Sequence, residues 1–469
     1  MAVYKCSVCD TVFDEEKEGK KWEALAEDWN CHVCESSKSV WKKVDKETRS
    51  PDVSAGVTGD ASGSPDEYRR LEDDLEIHMA DIHAMAETGK PIIEPMRTKK
   101  TVPSWDDILI KGAQLAKLPL DRDVSVNTRT IIGPMAKVPL VIEIPVYVTH
   151  MSFGALSREA KVSLAKGSAA VKTAMCSGEG GILPQSMEEA YKYIFEYVPN
   201  RYSVTEENLQ RVDAIEIKIG QSAKPGMGGH LPGKKVTGEV AEVRGFREGE
   251  DIISPAHFAD ITNRDDLKKK VDWLRDASGG KPIGIKFAAG HIEADLDVAL
   301  HARPDFLTID GRAGATGASP KFVKSATSVP SIFALYRAKK FLSEKGADEV
   351  SLVITGGLRV SSDFAKALAL GADAIAIGTS ALMAIGCQQY RICDTGKCPR
   401  GITTQDPRLR ARLDIEVASG GLANFLKAVA EELEDFARLT GNDDVHNLSL
   451  ADLCTVNSEI SGHTEIEHV

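Results

Sequence analysis

Residues 351–380 read SLVITGGLRVSSDFAKALALGADAIAIGTS. A short apolar run, SLVITGG (351–357), passes into a helical pattern, VSSDFAKALALGA (360–372), and then into a second apolar run, DAIAIGT (373–379). Strand, helix and strand in such short compass form a βαβ unit, and its two strands must pair in parallel. Neither run alternates between apolar and polar residues. Both faces of the sheet are therefore expected to be buried, as in a parallel sheet covered by helices.

The same unit recurs toward the amino terminus. IPVYVTH (144–150), VKTAMCS (171–177), YIFEYV (193–198), AIEIKIG (214–220), PIGIKFA (282–288) and DFLTID (305–310) are further β-rich runs. Helical patterns such as SREAKVSLAKGSAAV (157–171) lie between most of them. Eight such strands predict an α/β fold closed into a (β/α)8 barrel over residues 143–415. An open doubly wound sheet is the alternative, but no GxGxxG follows a strand, so a dinucleotide fold has little support.

Chemistry in such barrels sits at the carboxyl ends of the strands. Here the first strand opens into THMSFGA, the second into CSGEGG, the fourth into KIGQSAKPGMGGHLPG and the sixth into DGRAGATGAS. The last two end in TGGLR and GTS. Glycine turns after strands seven and eight are where barrel proteins cradle a phosphate with main-chain amides, although any turn uses glycine. Lys218 and Lys286 close otherwise apolar strands, where a cation could stabilise an anionic reduced cofactor. An ordinary exposed lysine is the competing reading.

The chain has 469 residues, 42% apolar and 27% charged, with a formal charge of −12. That balance supports a large core and argues against a nucleic-acid partner. No apolar run has the length of a membrane span, and the start, MAVYKCSVCD, lacks a secretory h-region. A cytoplasmic location is expected, where clustered cysteines usually bind metal rather than pair as disulfides.

Nine cysteines are present. Cys6, Cys9, Cys31 and Cys34 form two CxxC knuckles with 21 residues between them, a spacing suited to one tetrahedral iron or zinc. Cys387, Cys393 and Cys398 form a triplet followed by Pro399, suited to an iron–sulfur cluster, with a three-thiolate zinc site or free thiols as alternatives. Cys176 and Cys454 read as buried apolar residues. Residues 45–66, rich in Ser, Gly, Asp and Pro, read as a flexible linker that would let a small redox module approach and leave a larger partner surface. Residues 67–142 read as an amino-terminal helical extension of the barrel, amphipathic near 67–88. Residues 416–469 read as a carboxyl-terminal helix (420–441) and a polar tail.

YKCSVCDTVFD and WEALAEDWNCHVCESSKSVW resemble rubredoxin over residues 1–44, although Asp10 and Glu35 stand where glycine usually follows each knuckle. MSFGA, SGEGG, IKIGQSAKPGMGG, ISP, GATGAS and GCQQYRICDTGKCPRGITTQDPRLR together resemble the flavin-binding synthase domain of glutamate synthases. That resemblance implies FMN and a [3Fe-4S] cluster on Cys387, Cys393 and Cys398. It implies FMN contacts at Met151, Ser152, Ser177, Lys286, Gly356, Gly357, Gly378 and Thr379. It implies a 2-oxoglutarate site at Glu179, Gln221, Lys224 and Arg244, with Glu179, Lys218 and Lys224 at the chemistry. His230 replaces a glutamine common in the family, and its imidazole could still donate to a carboxylate.

The activity so implied is reductive amination of 2-oxoglutarate to glutamate, with electrons entering through the rubredoxin-like part. The chain begins Met-Ala, without a glutaminase nucleophile, so ammonia is expected from solvent or a separate glutaminase subunit. An electron-donor subunit and a homo-oligomer are also expected. The alternatives are a related synthase making N-methylglutamate from methylamine, and a non-catalytic electron-transfer subunit. The intact SGEGG and AKPG residues favour catalysis, because an electron carrier has no use for a dicarboxylate site.

Overall fold

The computed structural model describes residues 2–7, 11–31, 36–44, 70 and 73–469. Cys9, Cys34 and the expected linker, residues 45–66, lie outside the described residues.

All eight expected strands form, and they close into one parallel barrel in chain order. They are β1 (Val146–Val148), β2 (Ala174–Cys176), β3 (Lys192–Tyr197), β4 (Ala214–Lys218), β5 (Ile283–Ala288), β6 (Phe306–Asp310), β7 (Ser351–Thr355) and β8 (Ala374–Ile377). Closure is through β8 and β1, with Ile375 opposite Val146 and Ile377 opposite Val148. Most strands are shorter than their apolar runs because the runs end in turn residues. Gly356 and Gly357, for example, leave β7 with φ of 107° and 95°, a region only glycine enters freely.

Helices cover the outside. Arg158–Ala169 starts where Ser157 Oγ accepts the Ala160 N–H, and Arg264–Ala277 where Asn263 accepts from Asp265 and Asp266. Such caps satisfy amides that the first turn would otherwise leave bare. The long helix Ile415–Leu439 lies against Arg158–Ala169 so closely that a Cβ on Gly167 would sit 2.8 Å from Leu422 Cβ.

The lumen is packed by Tyr147, Ala174, Cys176, Ile194, Ala214, Phe306, Val353, Ala374 and Ala376. Phe306 lies across the barrel because position 284 is glycine: a Cβ there would fall 2.2 Å from its ring. Truncating so buried a ring costs about 3–5 kcal/mol. The amino-terminal mouth is stoppered by a hairpin, Thr130–Ile132 with Leu140–Ile142, whose Ile132, Leu140 and Ile142 join the lumen cluster. With one end plugged, only the carboxyl ends of the strands remain open to ligands.

Two expectations need correction. Residues 67–142 are not a helical extension: the described part holds one helix of that length, Met79–Thr88, with no buried residue, and three short strands. Frequent proline and glycine prevent longer helices there. The carboxyl-terminal segment is not merely a polar tail either. Leu453–Thr455 pairs antiparallel with Ile108–Ile110, and Leu453 and Ile460 are fully buried.

The amino-terminal module is a small antiparallel sheet, Val12–Asp14, Val3–Cys6 and Trp41–Val44. Its core is aromatic, with Tyr4 stacked on Trp22 at 4.3 Å and Phe13, Trp29 and Trp41 around them. Cys6 and Cys31 are buried in it. Ile392 of the large domain belongs to the same cluster, with Tyr390 at its margin, so the module is seated on the loop that carries Cys393. Among the described residues no helix is long and apolar enough to cross a membrane.

Candidate active site

Two glutamates sit inside apolar barrel strands, Glu196 in β3 and Glu216 in β4, both about fully buried. A charge so placed needs partners. Lys286 Nζ of β5 lies 3.8 Å from Glu196 Oε1. His150, just past β1, has Nε2 3.0 Å from Glu216 Oε2 and Nδ1 3.7 Å from Glu196 Oε2. Thr308 donates to Glu216. Burial alone would lower the pKa of Lys286, but Glu196, Asp310 and Glu216 outweigh it and hold the lysine above its ordinary range. Burial raises Glu216, and His150 and Lys286 bring it below the usual carboxylate range. His150, Glu196 and Glu216 are, among the described residues, the one trio of metal-ligating side chains within 4.8 Å of one another. Lys286 already supplies the cation there, and a divalent ion beside it would be repelled.

Above this floor opens a cavity lined from every side by strand-end loops. Lys218 at the end of β4 donates to Glu179 and, at 2.9 Å, to Gln221 Oε1. Burial pushes the Glu179 carboxyl up, but the Lys218 ammonium overrides it and takes its pKa down to about 2. Lys224 is 8% exposed and its ammonium has no hydrogen-bond or ion-pair partner among the described residues; burial, then the Lys218 charge, lowers it to about 8. Arg244, 7% exposed, donates to Phe153 O at 2.7 Å and stacks on Tyr202, yet its Nε has no hydrogen-bond partner among the described residues. The SGEGG loop makes room for it: a Cβ on Gly180 would sit 2.6 Å from Arg244 Nη2. His230 stands at the rim, half exposed, with Nε2 2.8 Å from Asp251 Oδ2.

Met151, Ser152, Gly356, Gly357, Gly378 and Thr379 line the same cavity, on the side of β1, β7 and β8. Ser177 does not. Its hydroxyl is fully buried and accepts the Glu196 N–H at 2.9 Å, so the side chain braces β2 against β3. Lys161, on the first barrel helix, binds the carbonyls of Met151, Cys176 and Ser177 at 2.8–3.0 Å and so ties the ends of β1 and β2 together.

The cysteine triplet meets the cavity at one residue. Cys393 lines the cavity beside Met96, whose Sδ is 3.7 Å from Cys393 Sγ. Lys235 Nζ donates to Cys393 O at 2.7 Å. Burial raises the Cys393 thiol to about 11, so a thiolate there needs metal to hold it.

Sequence reading found most of the cavity wall and Lys286 of its floor but missed the acids that answer that lysine. Glu196 and Glu216 had a signal, an acid inside each of two apolar strands, that went unused. Arg359 stood in the quoted TGGLR turn and lines the cavity. His150, Met96 and Lys235 carried no local signal, since each acts through residues distant in the chain.

A family model described as a conserved region in glutamate synthase matches residues 82–443. The glutamate synthase large subunit-like protein of Rhizobium meliloti (strain 1021) is 37% identical over 409 residues, 83% of this chain and 92% of that one. The archaeal glutamate synthase [NADPH] of Methanocaldococcus jannaschii is 37% identical over 400 residues, 78% of each chain. The archaeal-type glutamate synthase [NADPH] of Thermotoga maritima is 37% identical over 366 residues, 77% of this chain and 71% of that one. Such identity over most of the barrel, together with the family match, places the site just described in a known setting: the chain belongs to the glutamate synthase family.

Proposed function

We propose that this chain reductively aminates 2-oxoglutarate to glutamate, using FMN in the barrel, a [3Fe-4S] cluster on Cys387, Cys393 and Cys398, and ammonia from outside the chain. The observation that carries the reading is a pair of cationic groups lining the cavity beside the Lys218–Glu179 pair: Arg244 Nε, buried with no hydrogen-bond partner among the described residues, and the Lys224 ammonium, within reach of the Glu179 charge. Two carboxylates would satisfy them, and guanidinium geometry suits a carboxylate.

The residues present fit a flavin mononucleotide. Gly356 could carry no side chain, since its Cβ would meet Gly311 O at 2.1 Å, and with Gly357, Gly378, Thr379 and Arg359 it offers amides and a cation to a phosphate. Lys286 supplies positive charge at the floor, suited to an anionic reduced ring. Met151 and Ser152 line the β1 side. FMN, when bound, supplies hydride and accepts electrons singly. The iron–sulfur cluster and one iron on Cys6, Cys9, Cys31 and Cys34 would be the one-electron centres; zinc on those four cysteines has no redox chemistry and would make the module structural. The seating of Ile392 in the module's aromatic core supports entry of electrons from that module.

The chain's own work is then to hold and protonate. Arg244 and Lys224 fix the dicarboxylate, with Gln221 and His230 near it. Burial would lower Lys218, but Glu179 outweighs it and raises its pKa, so it stays charged and can donate to the keto oxygen that leaves as water. Glu179, kept anionic, orients the N–H bonds of ammonia and of the imine. Overall, 2-oxoglutarate, ammonia, two electrons and two protons give glutamate and water.

Anaerobically reconstituted protein with a chemical reductant, 2-oxoglutarate and ammonium should form glutamate, and acid should release FMN. Methylamine in place of ammonium tests the N-methylglutamate alternative. No amino-acid product with either amine would overturn the synthase reading in favour of an electron-transfer subunit.

A further inference from the structure

His150 Nδ1 accepts the main-chain N–H of Gly178 at 3.2 Å, while Nε2 faces Glu216 Oε2 at 3.0 Å. An amide can only donate and a carboxylate only accept. The neutral imidazole must therefore carry its proton on Nε2 and leave Nδ1 bare. The Nε2 contact is close but off line, so it falls short of a full hydrogen bond. The Gly178 amide thus depends on the tautomer that Glu216 selects.

Gly178 is the hinge of the SGEGG loop. Its φ is 79°, and a Cβ there would lie 2.4 Å from Met151 C and 2.5 Å from Ser152 N, so loop and β1 touch backbone to backbone. The next residue is Glu179, which holds Lys218. A line of contacts runs from Glu216 through His150 and Gly178 to the Glu179–Lys218 pair. We propose that His150 is a positioning residue that fixes Glu179 through the Gly178 amide. This rests on the synthase reading of the Glu179 site.

Three full-length, cofactor-loaded proteins test this: wild type, His150→Asn and His150→Phe. An asparagine oxygen can occupy the Nδ1 position and accept from Gly178 at every pH, whereas phenylalanine keeps ring volume without an acceptor. At alkaline pH, His150→Phe should lower kcat/KM for 2-oxoglutarate about five- to tenfold, the value of one neutral hydrogen bond, with flavin content unchanged. His150→Asn should stay near wild type. In 15N-histidine spectra, the resonance lost in His150→Asn should report a bare Nδ1 and a protonated Nε2. A wild-type value for His150→Phe, or a protonated Nδ1 at alkaline pH, overturns the proposal. If wild type does not turn over 2-oxoglutarate, the synthase reading fails, and the labelled spectrum alone still decides the His150 assignment.

Discussion

Lys286 Nζ and Glu196 Oε1 are 3.8 Å apart with side chains 6% and 2% exposed, an ion pair sealed inside the barrel beneath the cavity. Removing one partner of such a pair strands the other charge, at a cost of about 3–5 kcal/mol. Lys286→Met should therefore destabilise the apoprotein by that order in denaturant melts. The double variant Lys286→Met/Glu196→Gln should recover a large part of the loss. Equal melts for the two proteins would show that Glu196 is balanced by another group.

Arg244 should matter to substrate and not to fold of the flavin side. Losing a charge-assisted hydrogen bond to a buried carboxylate costs about 1.5–3 kcal/mol, so Arg244→Ala should weaken 2-oxoglutarate use roughly ten- to a hundredfold. Released flavin, measured after acid treatment, should equal that of wild type. Arg244→Lys should not rescue, because a point charge replaces the planar group stacked on Tyr202.

The eight strands were legible because each is a largely apolar run without polar alternation, which a doubly covered sheet can bury. The hairpin at Thr130–Ile142 was not, since its strands are three residues each and owe their burial to the lumen. Nor was the pairing of Ile110 with Leu453, which joins opposite ends of the domain. In the site, residues in local motifs, such as Glu179 and Lys224, were readable. The partners of Lys286 were not, because a lysine in a strand does not say which neighbouring strand will answer its charge.

Replacing Cys387, Cys393 or Cys398 with serine should abolish the cluster's spectral signal while iron or zinc remains on the amino-terminal site. Ile392→Asp makes a separate prediction. It should leave both metal contents intact and slow electron transfer from the reduced module to the flavin in stopped-flow traces, because an aspartate cannot join the cluster around Trp22 and Trp41. An unchanged rate would mean that electrons reach the barrel by another surface.

On the proposed reading, Lys224 should set the alkaline limit of substrate capture. Burial and the Lys218 charge hold its pKa at about 8 in the free protein, so it is largely charged at neutrality and neutral at higher pH. Because its pKa in the fold is depressed, the folded state gains stability as pH rises through this range, while dicarboxylate affinity falls. The two trends have opposite sign, which separates binding from unfolding. The profile of kcat/KM for 2-oxoglutarate, which reports groups of the free enzyme, should decline above about pH 8 while thermal stability does not. Lys224→Arg, charged at any working pH, should move that decline to higher pH. A profile that declines at the same pH in the arginine variant would assign the alkaline limb to another group.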